Sequence, residues 1–224
     1  MKLAVRSDWS AGYSESSRLQ FLLYVRDAAG LTPHGGLQLP PLQPAVTADP
    51  PKPPSASQLQ RVSDQWQSWW TDTFGTVEVV ERRKLPEPRQ DLPELADRHE
   101  LQQIARDLFD QAQAWVEQRA VECAERIAHD TTRDRLPVEY RIVEEAVAAR
   151  RGLQRLAQVG PFQLTVSGLP LAGMHGQRIS AGHALVTRAL RQDPDAYRAW
   201  LLPLARELVR SRPAQVTSST APQR

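Results

Sequence analysis

The segment GMHGQRISAGH, residues 173–183, holds the residues of this chain that are best suited to chemistry. It places His175 and His183 among three glycines, with Arg178 between the two histidines. Glycines let a backbone approach a ligand closely, and two histidines with a guanidinium could bind an anion or transfer protons. No glycine-rich phosphate-binding motif and no serine nucleophile motif accompanies them. We therefore interpret the segment as a hairpin connection between two strands, and keep an enzyme of unknown class with its site at His175, Arg178 and His183 as one alternative.

Two further segments approach metal-binding signatures without completing them. HELQQ, residues 99–103, has Gln103 where the HExxH signature needs its second histidine, and a neutral amide is a poor zinc ligand. Glu125 and His129 are four positions apart, whereas di-iron helical bundles use a spacing of three and repeat it on a second helix. Cys123 is the only cysteine, which excludes an internal disulfide and any site with two thiolates. The sequence predicts no metal and no other cofactor.

Three of the six tryptophans, Trp66, Trp69 and Trp70, lie in the stretch SDQWQSWWTDTF, residues 63–74. On a helix over residues 57–74 they share one stripe with other apolar residues at spacings of three and four, the pattern of a helix packed on a core. A stacking platform for bases or sugars would need exposed rings beside charged groups. We predict that these rings are buried and anchor the helix.

Arginines outnumber lysines by 25 to three, but the net charge is only +2. Such a balance produces no overall field that would favour nucleic acid or an anionic membrane. The arginine excess, together with abundant alanine, leucine and proline, is more typical of GC-rich coding than of selection for guanidinium chemistry, although the sequence alone does not separate the two. The densest basic group is Arg150, Arg151 and Arg155, and Glu144 and Glu145 dilute it. Because a surface that follows phosphates is usually uninterrupted, nucleic-acid binding through these three arginines is kept only as a second alternative.

The strongest helical patterns lie over residues 91–127 and 137–156. The first has a capping-box-like start at Asp91, and apolar residues recur in both at helical intervals. With about seven residues between them, the two helices are predicted to fold back as a long, antiparallel, coiled-coil-like hairpin. The facing stripes are rich in alanine, so the hairpin would bury little area by itself and would either pack on the rest of the fold or dock on a partner. The residues predicted to bind that partner are Ile104, Leu108, Trp115, Ile142 and Leu153.

Four short strands are predicted to form a small antiparallel or mixed sheet: residues 2–6, 77–80, 162–166 and 183–187. A polar turn follows the first strand. Residues 16–30 then fit a strand by alternation or a helix capped by Ser16 or Ser17, and we favour the helix. A C-terminal helix is predicted to begin at Asp193 and Pro194. The predicted fold class is therefore α+β and mostly helical, with the long helical hairpin inserted between strands of the sheet.

Proline density divides the chain. Eight of the 18 prolines lie in residues 33–57, where they remove backbone donors and favour an extended connector. The predicted parts are an N-terminal strand and helix of the core (1–32), the Pro-rich linker (33–57), a Trp-rich helix and strand of the core (58–90), the helical hairpin (91–160), a C-terminal strand pair and helix of the core (161–211), and a disordered tail (212–224).

The apolar runs of this sequence are too short to cross a bilayer, and the N-terminal residues MKLAVRSDWS lack the apolar core of a secretory signal. Together with the single cysteine, this predicts a cytoplasmic protein without a membrane partner. Each catalytic motif fails, and the hairpin would project from the core. We therefore expect a non-catalytic interaction protein, an adaptor or complex subunit that docks on a protein partner or on a second copy of itself.

Overall fold

One four-stranded sheet and seven helices make up most of the described structure. The sheet contains β1 (Trp9–Glu15), β3 (Phe162–Leu169), β4 (Gly176–Arg178) and β5 (His183–Thr187), and a separate pair joins β2 (Gln158–Val159) to β6 (Ala214–Gln215). The helices are α1 (Ser17–Ala28), α2 (Ala56–Gly75), α3 (His99–Asp107), α4 (Phe109–Thr131), α5 (Val138–Leu153), α6 (Arg188–Gln192) and α7 (Pro194–Ser211). This computed structural model describes residues 9–33, 39–46, 55–75, 91–131, 137–153, 158–212 and 214–215. The predicted α+β class is confirmed.

Parallel pairing joins three neighbouring strands of the sheet, whose order is β1-β3-β5-β4. β1 pairs with β3 from Trp9 opposite Phe162, and β3 pairs with β5 from Thr165 opposite His183. β4 runs antiparallel to β5 at the far edge. The strands predicted at 162–166 and 183–187 are confirmed. They pair as parallel neighbours, so the predicted hairpin connection between them is wrong: the connection contains β4, and it is β4 that runs antiparallel to β5.

The first apolar core lies on one face of the sheet and is formed by α1, α2, α3 and α4. Trp66, Trp69 and Trp70 are at most 2% exposed within it. The Trp66 indole N–H donates to the Leu22 carbonyl at 2.8 Å, and Leu185 of β5 supplies part of the sheet side. The prediction that these tryptophans belong to the core is confirmed.

The second apolar core covers the opposite face of the sheet and is formed by α5, α6 and α7. Here α5 packs along α7 and β1, and Val143, Tyr197 and Leu201 are fully buried beside Val166 of β3. The N-cap predicted at Asp193 is confirmed, because its carboxylate accepts two backbone N–H groups of the first turn of α7.

Residues 17–28 form the helix α1, so the helical prediction for this stretch is confirmed. Ser16 caps it, with its hydroxyl accepting the backbone N–H of Leu19 at 3.3 Å. Gly30, with φ +64°, follows the helix end in the left-handed region that favours glycine. Nine of the 12 residues in α1 are buried. A helix buried on nearly every side has no polar stripe, and this explains why its sequence also fitted a strand.

The long helix predicted over residues 91–127 is divided in the structure. A 3-10 turn at Pro93–Leu95 precedes α3, and α4 is a separate helix that begins at Phe109. The predicted helix start at Asp91 is wrong, since Leu92 has a positive φ of 42°. The turn has a packing reason: Leu92 and Leu95 are both fully buried in the first core.

The structure does not confirm the predicted hairpin. α4 packs on α1 in the first core, whereas α5 packs on α7 and β1 in the second. The two helices therefore cover opposite faces of the sheet, and elements of the same chain bury the part of each apolar stripe whose side chains are described. Helical periodicity and a short separation along the chain predict two consecutive helices, but they do not decide which surface each stripe covers.

β1 occupies residues for which the sequence predicted a polar turn, and that prediction is wrong. The strands predicted at 2–6 and 77–80 lie outside the residues that the structure describes. In β1, Trp9, Ala11 and Tyr13 pack on the second core and alternate with small polar residues that face solvent. Half of the strand therefore has the composition of a turn.

Part of the predicted Pro-rich linker is packed against the core. Within residues 39–46, Leu42 is buried and forms an isolated bridge with Leu171. The backbone N–H of Leu42 donates to Asp27 Oδ2 at 2.6 Å. The extended backbone that proline favours can lie along a core as readily as it can connect two elements. The prediction of a disordered tail is also wrong for residues 214–215, which pair with β2 as the strand β6. Strand pairing uses backbone hydrogen bonds, so it does not require an apolar side chain.

Candidate functional site

One face of the β1–β3 pair is polar and open to solvent. Five residues line it, and we call them the polar shelf: Ser10, Gly12, Ser14, Gln163 and Thr165. The strand register sets Ser10 beside Gln163 and Gly12 beside Thr165. The three residues on β1 are exposed, and the two on β3 are half-buried. The five are uncharged and small or medium in size.

This exposure is unusual, because parallel sheets generally have both faces covered. On the shelf side, the first core covers Leu169 and Leu185, at the end of β3 and on β5. It does not extend over β1 in the described part of the chain. A Cβ placed on Gly12 would meet no atom within 4 Å. The sheet, as far as it is described, thus ends in a strand whose outer face is open.

His183 and Ser167 form a buried pair at the inner border of the polar shelf. His183 Nε2 lies 2.9 Å from Ser167 Oγ, and the imidazole contacts the ring of Phe74 with centroids 5.7 Å apart. Burial lowers the pKa of His183 from 6.5 to about 4, so the ring is uncharged at neutral pH. The polar shelf therefore gains no charge from this histidine.

The Ser167–His183 pair lacks the features of a catalytic dyad. A nucleophilic serine must reach its substrate, and its base is normally oriented by a third group. Ser167 is 5% exposed. His183 Nδ1 has no hydrogen-bond partner among the residues described. We interpret the pair as a contact that joins β3 to β5.

On the opposite face, Glu15 ends β1 in a cluster of hydrogen bonds. Its carboxylate accepts two hydrogen bonds from the Arg188 guanidinium, at 3.1 and 2.5 Å, and one from the Tyr13 hydroxyl at 2.8 Å. Tyr13 lies directly over Gly168 of β3. Because Arg188 follows β5 immediately, the ion pair joins the carboxyl ends of two strands across the one between them.

A second buried carboxylate, Glu139 of α5, extends this network. Its Oε1 accepts hydrogen bonds from Arg191 Nε at 3.0 Å and from the Tyr197 hydroxyl at 2.9 Å. Burial, with the charge of Glu139, raises the pKa of Tyr197. Burial alone would lower the pKa of the Arg191 guanidinium, but the charge and hydrogen bond of Glu139 outweigh it and the pKa is raised. The Arg191 guanidinium lies 3.9 Å from the ring centroid of Tyr13, which links the two clusters.

The network is balanced, with two carboxylates (Glu15 and Glu139) facing two guanidinium groups (Arg188 and Arg191). The carboxyl ends of parallel strands are a common ligand site in open α/β sheets. Here, however, each carboxylate is already held by a cation, and separating such a buried pair costs about 3 to 5 kcal/mol. We therefore assign the network a structural role, in which it joins β1 to α5, α6 and α7.

The structure does not bring the two predicted catalytic histidines together. His183 begins β5, whereas the His175 carbonyl accepts the backbone N–H of Thr187 at the other end of that strand. At the rise of a β-strand, the two ends are about 13 Å apart. Arg178 forms an ion pair with Glu207 of α7 at 2.8 Å. This geometry gives no support to an enzymatic site in residues 173–183.

Four of the five residues predicted to bind a partner lie in the two cores. Leu108 is buried in the first core, where Ile104 and Trp115 pack against it, and Ile142 is buried in the second. The side chain of Leu153 lies outside those described. Four residues expected to share one docking stripe therefore hold different helices to different faces of the sheet.

Of the three arginines predicted to bind nucleic acid, only Arg150 has a described side chain. Its guanidinium donates to the backbone carbonyls of Val209 and Arg212, the second at 2.9 Å, at the C-terminal end of α7. This is the capping role that arginine often has at the end of a helix. Arg150 is thus engaged within the chain.

Sequence reasoning missed Ser10, Gly12 and Ser14. Their signal is the strict alternation in WSAGYSE, where large or apolar residues at 9, 11 and 13 are separated by small polar ones. A period of two is the pattern of a strand with one covered face and one open face. Taken one at a time, serine and glycine favour a turn, whereas the alternation over all seven residues favours a strand.

Within the described ranges, no three His, Cys, Asp or Glu side chains form a group that could hold a metal ion. None of the helices in that part of the chain combines the length and apolar character required to span a membrane. No protein-family model, curated protein or solved structure matches this chain. The geometry of the described residues is therefore the basis for a functional proposal.

Proposed function

We propose that this protein is a non-catalytic interaction subunit that binds another polypeptide along β1, beside the polar shelf. The observation that carries the proposal is the position of β1, which comes last among the described strands of the sheet and exposes Ser10, Gly12 and Ser14. A protein partner was also expected from the sequence, but on the helical hairpin, whose stripes lie in the cores as far as their side chains are described.

The chemistry of β1 suits the addition of a strand. Proteins usually protect the edge of a sheet with lysine, proline, a bulge or a covering element, because an edge strand is a template for pairing. The strand WSAGYSE contains no lysine and no proline. When an extended segment pairs with such an edge, main-chain hydrogen bonds supply affinity and the alternate side chains supply specificity.

The polar shelf favours binding over catalysis. Ser10, Ser14, Gln163 and Thr165 offer hydroxyl and amide groups that can donate and accept hydrogen bonds. General acid–base catalysis needs a group that titrates near the working pH, and the neighbouring His183 has a pKa of about 4 and is buried. Contacts with a neutral, hydrogen-bonding segment match these residues best.

A photo-crosslinking amino acid at Ser14 tests this proposal in cells that express the chain. The probe would replace an exposed residue of β1, and a matched probe at Ala199 would occupy an equally exposed position on α7. We expect the Ser14 probe to give one discrete adduct. Mass spectrometry of that adduct should map it to a single extended segment of a polypeptide.

The additional change Ser10→Lys should abolish the adduct, because a lysine on the edge discourages strand pairing. The Ala199 probe should give only diffuse background. A Ser14 adduct that scatters over many proteins, or that persists unchanged with Ser10→Lys, would contradict binding along β1.

We also propose a cytoplasmic location, on the ground of the single cysteine, Cys123.

A further inference from the structure

We infer that the polypeptide that binds β1 is the β1 strand of a second copy of this chain, paired antiparallel about a two-fold axis at Gly12. This inference rests on the proposed function, since it names the partner of the same surface. Gly12 is the central residue of the seven-residue strand Trp9–Glu15. Pairing about this residue therefore uses the full length of the strand.

The first argument is the near-palindromic order of the strand. A two-fold interface brings the same surface of both copies together, so that if residue i contacts residue j, then j contacts i. On the exposed face the order is Ser10, Gly12, Ser14, which is the same in both directions. In the proposed register, Ser10 of each copy lies opposite Ser14 of the other, and paired hydroxyl side chains across strands are favourable.

The second argument is the space at the axis. Directly opposite residues of an antiparallel pair have Cα atoms only about 4.5 to 5.5 Å apart. Gly12 has no side chain, and no atom lies within 4 Å of the place where one would be. The two copies of Gly12 can therefore meet at the axis without displacing any neighbour.

The third argument is charge. A two-fold axis sets identical residues close together, so a charge near the axis would repel its copy. The exposed β1 residues Ser10, Gly12 and Ser14 are uncharged. Glu15, the one charged residue of the strand, is neutralised by the Arg188 guanidinium on the covered face. Nothing in β1 opposes self-pairing electrostatically.

The resulting assembly would be a continuous eight-stranded sheet with the order β4-β5-β3-β1 in one copy, followed by β1-β3-β5-β4 in the other. The polar shelves of the two copies would adjoin across the axis on one face of this sheet. An interface made mainly by two short strands lies at the small end of the range for specific complexes, and we expect a dissociation constant on the order of micromolar.

Charge pairing between positions 10 and 14 provides the test. The variant Ser10→Lys/Ser14→Lys would place lysine opposite lysine twice, whereas Ser10→Lys/Ser14→Glu would place lysine opposite glutamate twice. Like charges directly opposite destabilise a strand pair and opposite charges stabilise it. Because both positions are exposed, neither variant removes a buried contact. Circular dichroism should give the same folded spectrum for both variants and the wild-type chain.

Sedimentation equilibrium over a concentration series measures the association. We expect the wild-type chain to approach twice its monomer mass of 25.2 kDa, the double-lysine variant to remain monomeric, and the lysine–glutamate variant to dimerise at least about tenfold more tightly than the double-lysine variant. A control with lysines at the exposed positions Gln192 and Ala199 adds the same charge away from β1. It should dimerise as the wild-type chain does.

The outcomes separate this inference from the proposed function. A wild-type chain that stays monomeric at concentrations on the order of 100 μM, or a lysine–glutamate variant as weak as the double-lysine variant, overturns the two-fold pairing. If in that case the Ser14 probe still gives a discrete adduct with another protein, binding along β1 stands and only the partner is wrong. If the Ser14 adduct maps instead to residues 9–15 of a second copy, both proposals are supported. A monomer without a discrete adduct refutes both.

Discussion

Gly12 and Gly168, on the neighbouring strands β1 and β3, differ in the space around them. A Cβ on Gly168 would lie 1.9 Å from the Tyr13 hydroxyl oxygen, whereas a Cβ on Gly12 would meet nothing within 4 Å. Tyr13 cannot shift without loss, because its hydroxyl donates to Glu15 and Arg191 lies over its ring. At the scale of single residues, Gly168 is thus required by packing within the chain, whereas no described neighbour of Gly12 requires a glycine at that position.

The change Gly168→Ala is expected to lower the free energy of unfolding by about 1 to 3 kcal/mol, the usual cost of overpacking. The matched change Gly12→Ala is expected to leave stability unchanged or to raise it by up to about 1 kcal/mol, through the reduced freedom of the unfolded chain. Urea denaturation of both variants at dilute concentration measures the difference. Equal losses in the two variants would contradict the close packing of Tyr13 on Gly168.

At the scale of elements, one buried ion pair holds residues 39–46 against the core. Arg26, which is 4% exposed, donates to Asp27 at 2.5 Å and to the carbonyls of Leu39 and Pro40 at 3.2 and 2.8 Å. Asp27 in turn accepts the backbone N–H of Leu42. The end of α1 therefore holds this extended segment on one side. On the other side, the backbone N–H of Gln43 donates to the Pro170 carbonyl at 2.7 Å, and that of Ala172 donates to the Pro41 carbonyl at 2.8 Å.

Replacing Asp27 with alanine removes the acceptor for the Arg26 guanidinium and for the backbone N–H of Leu42. It also leaves the buried guanidinium without its counter-charge. We expect a loss of roughly 2 to 4 kcal/mol in the free energy of unfolding. The backbone N–H of Leu42 should also exchange with solvent faster. Urea denaturation and hydrogen exchange measure the two effects.

The control for this prediction is Asp64→Ala on α2, where an exposed carboxylate accepts only from Gln60 at 3.1 Å. Its effect should stay within about 0.5 kcal/mol. Unchanged exchange at Leu42 in the Asp27 variant would show that other contacts hold residues 39–46 in place.

At the scale of the whole molecule, one sheet separates two apolar cores. The uncharged His183 is buried beside the first core, in contact with Phe74. His183 is 4% exposed, and burial lowers its pKa from 6.5 to about 4. The unfolded chain therefore binds a proton in a pH range where the folded chain does not. Acid conditions favour the unfolded state over that range.

We expect the stability contributed by His183 to be fully present above pH 6.5, to fall as the pH drops from 6.5 to about 4, and to change no further below. The shift corresponds to about 3 kcal/mol at 1.36 kcal/mol per unit. Chemical denaturation at several pH values measures this slope. In His183→Gln, which cannot titrate, the total loss of stability between pH 6.5 and about 4 should be smaller by that amount. An identical slope in the variant would mean that other groups cause the acid sensitivity.

The elements that the sequence predicted well carry local signals. Asp193 and Pro194 mark the start of α7, and the apolar alternation in FQLTV marks β3. The buried tryptophan stripe of α2 is equally local, since spacing along one helix decides which residues share a face. Of the candidate sites, only residues 173–183 could be placed between two strands from such signals, and the predicted hairpin there is wrong because β3 and β5 are parallel.

The sequence by itself determined the α+β class, the helix and strand propensities, the buried tryptophans and the lack of complete catalytic motifs. These depend on residue types and on spacings within a single element. Only the tertiary structure decided that α4 and α5 cover opposite faces of one sheet, that Arg150 caps α7, and that β1 is a strand with an open face. Each of these depends on which distant residues come into contact, and the periodicity of a segment states that a face must be buried without stating what will bury it.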